Sequence, residues 1–171
     1  MLKNLQEELN RFAKYVVSQS RANFTRQKKN SSGKGYDSIS YKLNVSKNSF
    51  GLDFLMEDYM IFQDVGVSGK KKKYNTPFSY TTKMPPPAKL DKWIVRKGLA
   101  GRNKEGKFIS RKSLQFAISR SIFNNGIKPS LFFTKPFRKA FDNLDKDIVK
   151  AYALDVQSLI NTTVKDNFKT K

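Results

Sequence analysis

Positive charge in this 171-residue chain is concentrated in one internal segment. Residues 65–112 hold 14 Lys and Arg against 2 Asp and Glu, a net charge of +12, whereas the whole chain carries +20. The segment contains four consecutive lysines, called the tetralysine run: Lys70, Lys71, Lys72 and Lys73. Because charged groups are costly to bury without partners, the run is expected on an exposed loop that the helices and strands of the chain support.

The composition is that of a folded protein. Apolar residues make up 38% and aromatic residues 13% of the chain, which is enough for one hydrophobic core at this length. We predict a single α+β domain over residues 1–171, with an N-terminal helix, a small antiparallel hairpin and several further helices. No apolar run approaches the ~20 residues of a membrane-spanning helix, so we expect a protein that is soluble and intracellular when made and that has no membrane partner.

Apolar spacing predicts the elements of the first third of the chain. A helix is expected to run to about residue 20, because its apolar residues recur three and four positions apart: Leu2, Leu5, Leu9, Phe12, Val16 and Val17. An exposed, mobile loop is expected over residues 26–35. Alternating residues then predict a hairpin with one buried face: Ile39, Tyr41, Leu43 and Val45, followed by Phe50, Leu52 and Phe54.

The middle of the chain is expected to be less regular. A short helix is predicted to end at Gly66, which can take a left-handed conformation. Residues 67–90 then form a long, pliable, basic and proline-rich loop insertion. A two-turn helix is expected next, and its predicted packing residues are Leu90, Trp93 and Ile94.

Two further helices are predicted in the last third. Ser110 is expected to cap the first of them, and Thr134 the second. The second would be roughly 30 residues and about 45 Å long, so part of it is expected to pack against a neighbouring subunit. The alternative is a frayed end, with a flexible tail at residues 162–171.

The net charge favours an anionic partner, with nucleic acid first, an acidic membrane surface second and an acidic protein third. The alternative is a merely solubilising surface. The candidate contact residues for DNA or for another protein are the tetralysine run together with Lys83, Arg96, Lys97 and Arg102. Nearby aromatic residues could stack on unpaired bases, or they could simply anchor the loop: Tyr74, Phe78, Tyr80 and Trp93.

The chain lacks most residues used in catalysis. It has no Cys and no His, so disulfides, thiolate chemistry and the commonest general base are excluded. A Mg²⁺-dependent nuclease using Asp53, Glu57 and Asp58 is a minority hypothesis, because such spacing is ordinary on a solvated surface. We therefore predict a protein that is not an enzyme, with no cofactor, catalytic residue or metal site.

Three stretches of the chain, taken in order, carry a family resemblance. They are GKGYDSISYKL after the first helix, YMIFQDVGVSG in the middle and GIKPSLFFTKPFRKAF near the end. Together they resemble the neck or tail-completion (head-to-tail connector) proteins of tailed bacteriophages. Tyr59, Phe62 and Gly66 match the middle motif of that family, and Pro136 and Phe137 match its closing motif. The stretches FSYTTKMPPPAKLDKWIVRKG and RKSLQFAISRSIFNNGIKPSLFFTKPF are similar to virion proteins of phages with Bacteroidetes-type hosts.

The resemblance implies a structural virion protein that forms a homo-oligomeric ring of six or twelve copies. Such a ring would join a portal or adaptor ring to tail proteins and surround the DNA channel, where the basic residues would meet DNA or the adjacent ring. The expected fold or subunit-contact anchors are Tyr59, Phe62, Gly66, Phe132, Phe133, Pro136 and Phe137, and the alternative for each aromatic residue is burial in its own subunit. The basic insertion between Gly66 and Ser110 is larger than in the family pattern, so the resemblance does not assign the ring to one layer of the neck. A sequence-independent nucleic-acid-binding protein is the rival interpretation.

Overall fold

The computed structural model describes residues 2–46 and 49–169, with side chains described up to residue 162. Within these residues it contains seven α-helices and one two-stranded antiparallel sheet, which confirms the predicted α+β class, with helices predominating. The helices are α1 (Lys3–Arg26), α2 (Lys34–Ser38), α3 (Tyr59–Asp64), α4 (Asp91–Arg96), α5 (Arg111–Asn125), α6 (Thr134–Phe141) and α7 (Leu144–Lys169). The strands are β1 (Ser40–Val45) and β2 (Phe50–Leu55), and a 3₁₀ turn, Pro87–Leu90, precedes α4.

Two compact units are built from interleaved parts of the chain. Unit 1 contains Met1–Asn23, Ile39–Met56 and Phe133–Lys171, and unit 2 contains Phe24–Ser38 and Glu57–Phe132. By sequence, unit 2 has 20 Lys and Arg against 6 Asp and Glu, net +14, and unit 1 has 14 against 8, net +6. Most of the excess charge, including the tetralysine run, therefore belongs to unit 2.

A cluster of phenylalanine rings packs beside the hairpin in unit 1. Strands β1 and β2 pair as predicted, with Tyr41 opposite Phe54 and Leu43 opposite Leu52 on the same face. The Phe54 ring packs edge-on against three others: Phe12 at 6.1 Å, Phe133 at 5.4 Å and Phe137 at 5.8 Å between ring centroids. Each such pair contributes about 0.5–1.5 kcal/mol beyond the burial of its area, so the cluster ties α1, β2 and α6 together.

The N-terminus of α1 is capped by a residue from the other end of the chain. The buried Asp155 carboxylate in α7 accepts hydrogen bonds from the backbone N–H of Asn4 at 3.0 Å and of Leu5 at 2.9 Å. It also accepts one from Asn4 Nδ2 at 2.8 Å. Burial alone would raise the pKa of Asp155, but these hydrogen bonds outweigh it and hold the pKa below its ordinary value. The ionised carboxylate also suits the positive end of the α1 dipole.

We expect Asp155→Asn to lower the melting temperature by several degrees at neutral pH, because a charged cap becomes a neutral one. A carboxyl with a lowered folded-state pKa stabilises the fold above its unfolded pKa and loses that contribution as pH falls through the folded pKa. The difference between wild type and variant should therefore shrink on acidification below the ordinary value of 3.8. Thermal melts against pH measure this, with the exposed Asp145→Asn as control. A pH-independent difference would contradict the account.

Ser20 is a defect in the buried face of α1. Its side chain is fully buried, and its hydroxyl has no hydrogen-bond partner among the described residues. A buried hydroxyl without a partner costs about 1–3 kcal/mol, and alanine also has the higher helix propensity. We expect Ser20→Ala to raise the free energy of unfolding by about 1 kcal/mol, measured by urea denaturation. Ser18→Ala, on the exposed side of the same helix, should change it by a few tenths at most. A destabilised Ser20→Ala variant would show that the hydroxyl has a partner.

Unit 2 has its own small core. Phe24 and Phe132 pack edge-on at 5.1 Å, and both are buried, as are Met60 of α3 and Ile94 of α4. Ser110 caps α5 as predicted, because its hydroxyl accepts a hydrogen bond from the Ser113 N–H at 3.1 Å. The short helix α3 is followed, also as predicted, by a left-handed Gly66 with φ of +80°.

The first helix is longer than predicted. It continues to Arg26 because Phe24 extends the buried stripe and contacts Phe132. Lys28 then takes a left-handed conformation with φ of 54°, and the Lys29 N–H donates to the Phe24 carbonyl at 3.1 Å, which ends the helix. The predicted loop over residues 26–35 is correspondingly shorter, since α2 begins at Lys34.

The predicted last helix is two helices. It breaks at Asp142 and Asn143, residue types that favour helix ends over helix interiors. Thr134 is the first residue of α6 and not its cap, since the preceding Phe133 occupies that position without a capping side chain. The α7 backbone is helical to Lys169; the rest of the predicted tail at residues 162–171, and side chains beyond residue 162, lie outside the described residues.

The helix predicted around residues 90–98 packs mainly through Ile94. Ile94 is 2% exposed, whereas Trp93 is 39% exposed, so the prediction that Trp93 packs into the core is wrong. The reason is that α4 has only six residues and therefore presents a narrow face to its neighbours.

Candidate functional site: a basic turn beside an aromatic groove

Residues 67–74, called the basic turn, hold the tetralysine run against the C-terminal end of α5. The Lys70 N–H donates to the Phe123 carbonyl at 2.9 Å, and the N–H groups of Lys71 and Lys72 donate to the Asn124 carbonyl at 2.9 and 3.1 Å. Carbonyls in the last turn of a helix have no partner within that helix. The basic turn supplies these partners, and its lysine charges complement the partial negative charge of the helix end.

The backbone of the basic turn is fixed by further interactions. The buried Ser68 hydroxyl accepts a hydrogen bond from the Tyr74 N–H at 2.9 Å and donates to the Tyr74 carbonyl at 3.0 Å. Gly69 and Gly126 lie where two backbone segments meet, and a Cβ on Gly69 would lie 2.3 Å from the Asn124 carbonyl oxygen. The start of the predicted pliable loop is thus a turn that is hydrogen-bonded to other parts of the same chain.

The lysine side chains of the tetralysine run remain available to other molecules. All four are exposed, and no carboxylate among the described residues lies within 4.0 Å of their ammonium groups. The Lys70 ammonium lies 6.0 Å from the centroid of the Phe123 ring, and that of Lys72 lies 5.7 Å from the Tyr74 ring. The turn therefore presents concentrated positive charge on a rigid backbone.

The other predicted basic contacts belong to separate elements. Lys83 and Arg96 are exposed on the Pro-rich segment and on α4. The Lys97 ammonium instead donates to the Lys28 carbonyl at 2.9 Å, near the end of α1, and so has a structural role. The Arg102 guanidinium stacks on the Phe108 ring at 3.8 Å. Of these four residues, Lys83 and Arg96 therefore have the charged groups that are most available to another molecule.

An aromatic groove of ≈420 Å³ adjoins the basic turn. Its lining residues are Tyr59, Phe62, Gln63, Val67, Phe78, Ser79, Tyr80 and Ile127. Val67 belongs to the basic turn itself, and the Tyr80 ring lies 6.4 Å from the Phe123 ring, over which the Lys70 ammonium sits. The Lys70 ammonium is thus connected to the groove through these two ring contacts, and it is called the ammonium rim.

The groove also carries two protonated phenols. Burial raises the pKa of Tyr80. Burial, and then the nearby Glu57 carboxylate, raise the pKa of Tyr59 against a smaller opposing effect of Lys34. Both hydroxyls therefore stay protonated at neutral pH and can donate hydrogen bonds.

The sequence did not predict this groove as a unit. Phe62 and Phe78 pack edge-on at 4.7 Å between centroids although they are 16 positions apart, and Ile127 reaches the groove by pairing with Val67. The signal that could have revealed it is the pair of glycines, Gly69 and Gly126, that permits the close approach of the two segments.

The predicted anchor residues divide between the two units. In unit 1, Phe133 and Phe137 belong to the phenylalanine cluster, and Pro136 is buried. In unit 2, Phe132 is fully buried, whereas Tyr59 and Phe62 are 40% and 39% exposed at the groove. Burial within the chain thus explains Phe132, while Tyr59 and Phe62 are exposed and available for contacts with another molecule.

Two of the stretches that carry the family resemblance pack against each other in unit 2. The backbone N–H groups of Ser130 and Leu131 donate to the Asp64 carbonyl at 3.0 and 2.9 Å. A Cβ on Gly66 would lie 2.6 Å from the Ile127 carbonyl oxygen, so this approach requires glycine. The middle stretch and the start of the last one therefore form a single structural element.

Neither a metal site nor a membrane span is found in the part of the chain that the structure describes. No three acidic side chains there group closely enough to hold a metal ion, so the nuclease hypothesis gains no geometric support. Asp53 accepts a hydrogen bond from Asn44, and Glu57 pairs with Lys34. None of the described helices combines the length and apolarity needed to cross a bilayer. Comparison of the chain with protein families, with curated proteins and with solved structures found no match.

Proposed function

We propose that this chain is a structural virion protein of a tailed phage, which assembles as a ring in the neck between portal and tail and surrounds the DNA channel. In this function the surface formed by the basic turn and the aromatic groove makes contacts between molecules. The proposed function does not involve catalysis by this chain.

One observation carries the proposal: four exposed lysines, without carboxylate partners among the described residues, are held on a backbone that is hydrogen-bonded to the end of α5 and braced by the Ser68 hydroxyl. The partial negative charge at the end of α5 accounts for only part of this positive charge, because the effect of a helix dipole falls off within the last turn. The remaining charges repel one another, and this repulsion is relieved when an anionic surface binds. A rigid turn also loses little conformational entropy on binding.

The assignment to the phage neck is supported by the family resemblance. The middle stretch and the start of the last one pack together, and Gly66 of the middle motif lies at an approach that excludes any side chain. A second line of support is α7, on which several large apolar residues are exposed: Val149, Tyr152, Leu154, Leu159 and Ile160. Exposed apolar surface of this kind is typical of a subunit that is covered by its neighbours.

The second candidate is a sequence-independent nucleic-acid-binding protein, favoured by the same unpaired lysines. Duplex binding against salt separates the two functions. A neck subunit should bind duplex DNA only weakly when isolated, in the micromolar range or above, and bind more tightly once assembled. A dedicated DNA-binding protein should bind tightly as a monomer and lose roughly 10³-fold or more in affinity between about 50 and 200 mM salt.

Substituting the tetralysine run tests which case holds. If its lysines neutralise phosphates, replacing all four with Gln should reduce the slope of log affinity against log salt by about 0.9 for each phosphate no longer neutralised. The control replaces four exposed lysines of unit 1 with Gln: Lys135, Lys139, Lys146 and Lys150. The neck proposal predicts equal, small effects of both variants on the isolated subunit. If the wild-type monomer binds DNA tightly and only the tetralysine variant loses this binding, the second candidate replaces the neck proposal.

A further inference from the structure

We propose that the aromatic groove and the tetralysine run of one copy bind the acidic segment, residues 141–147, of a second copy, so that the chain associates with itself head to tail. This inference rests on the proposed function and names the partner of the site described above. It assigns the surplus lysines to an interface between subunits.

The acidic segment carries negative charge and an exposed aromatic ring, which complement the lysines and the apolar groove. It carries three carboxylates and one lysine, and none of the carboxylates has a basic partner within 4.0 Å among the described residues: Asp142, Asp145 and Asp147. Phe141 precedes them and is 53% exposed, although one face of its ring stacks on a neighbouring ring of the phenylalanine cluster. An aromatic residue followed by carboxylates is complementary to an apolar groove with an ammonium rim.

The groove suits a side chain better than a base. Phe62 and Phe78 pack edge-on with an interplanar angle of 72°, so the two rings do not form one flat surface on which a base could stack. A concave site of ≈420 Å³ with apolar walls and two phenol donors is instead of the size that takes one or two inserted groups. Phe141 supplies an apolar group, and the following carboxylates can meet the ammonium rim.

The location of the two surfaces determines the kind of assembly. The groove lies in unit 2 and the acidic segment in unit 1, so the two patches are different surfaces of the same subunit. An interface between two different patches is heterologous, and repetition of it produces a closed ring when the rotation per subunit closes. This is the assembly that the proposed function requires.

Cysteine cross-linking tests the interface directly, because the chain contains no Cys. Ser79→Cys places a thiol at the groove, and Asn143→Cys places one in the acidic segment. Each chain carries a single thiol, so a mixture can form only disulfides between copies. We expect a several-fold higher yield of the mixed dimer than from Ser79→Cys with Gln157→Cys, which lies exposed on α7. Equal yields would overturn the proposal.

Charge reversal gives an independent readout. Lys70→Glu with Lys72→Glu, and separately Asp142→Lys with Asp145→Lys, should each weaken self-association by about tenfold or more, measured by sedimentation. A mixture of the two variants should recover it, because each reversed surface now meets its complement. Lys104→Glu with Lys107→Glu makes the same charge change elsewhere in unit 2 and should leave association intact.

The outcomes separate this inference from the proposed function. If the wild type forms rings and both charge-reversal variants form them as well, the proposed interface is wrong but the ring proposal stands. A wild-type chain that remains monomeric would overturn both. Protection of the groove thiol by a single-stranded oligonucleotide, without cross-linking between copies, would replace the interface with nucleic-acid binding.

Discussion

Phe132→Ala is expected to lower the free energy of unfolding by about 4 kcal/mol, a large share of the stability of a domain of this size. Phe132 is 0% exposed and packs edge-on against the Phe24 ring at 5.1 Å. Removing its ring takes away the transfer free energy of a large apolar group and leaves a cavity that a small core cannot fill by relaxation. Chemical denaturation monitored by Trp93 fluorescence and by circular dichroism gives the value.

The control is Phe108→Ala, because Phe108 is 66% exposed and lies outside that core. We expect it to cost less than about 1 kcal/mol, mainly because the stacking of Arg102 on the ring is removed. If Phe132→Ala were as mild as the control, Phe132 would have to be an exposed contact residue and not a core residue.

Gly69→Ala is expected to cost about 3 kcal/mol and to release the basic turn from α5. The added Cβ would lie 2.3 Å from the Asn124 carbonyl oxygen and 2.4 Å from the Gly126 nitrogen, both backbone atoms that cannot rotate away. The two segments must therefore separate, which breaks the hydrogen bonds donated by Lys70 and Lys71. Amide hydrogen exchange at these lysines should become faster along with the fall in stability.

Gly51→Ala provides the matched control for this substitution. Gly51 lies in β2, and the nearest atom to an added Cβ is 3.8 Å away, an ordinary van der Waals distance. Its effect on stability should be within about 0.5 kcal/mol. A mild Gly69→Ala variant with unchanged exchange at Lys70 would show that the basic turn is not held against α5.

Local pattern predicted the elements whose determinants are close together in sequence. The hairpin followed from alternation of residues such as Tyr41 and Leu43, and the α5 cap followed from Ser110. Gly66 was predicted as the end of α3 because a left-handed residue there needs no side chain. These features depend on interactions within a few residues, which a single sequence displays.

The features that sequence reasoning missed depend on interactions between distant residues. The α1 cap comes from Asp155, 151 positions away from Asn4, and no local pattern indicates it. The basic turn looked pliable because its hydrogen-bond partners are the Phe123 and Asn124 carbonyls, far along the chain. The break between α6 and α7 was hidden because apolar residues continue at helical spacing through Asp142 and Asn143.

The backbone and the side chains of the tetralysine run make separate contributions. The backbone completes the hydrogen bonds of α5, a structural task that residues of any charge could perform. The side chains, by contrast, contribute repulsion within the subunit except where they complement the helix end. The positive charge is therefore the part of this segment that its hydrogen bonding to α5 does not explain.

Electron microscopy of the purified wild-type chain shows whether it assembles into a ring. We predict closed rings of six or twelve copies, with an opening wide enough for duplex DNA, and we predict that the Lys70→Glu and Lys72→Glu double variant does not form them. A population of single subunits at every protein and salt concentration, binding neither duplex DNA nor one another, would contradict the claim.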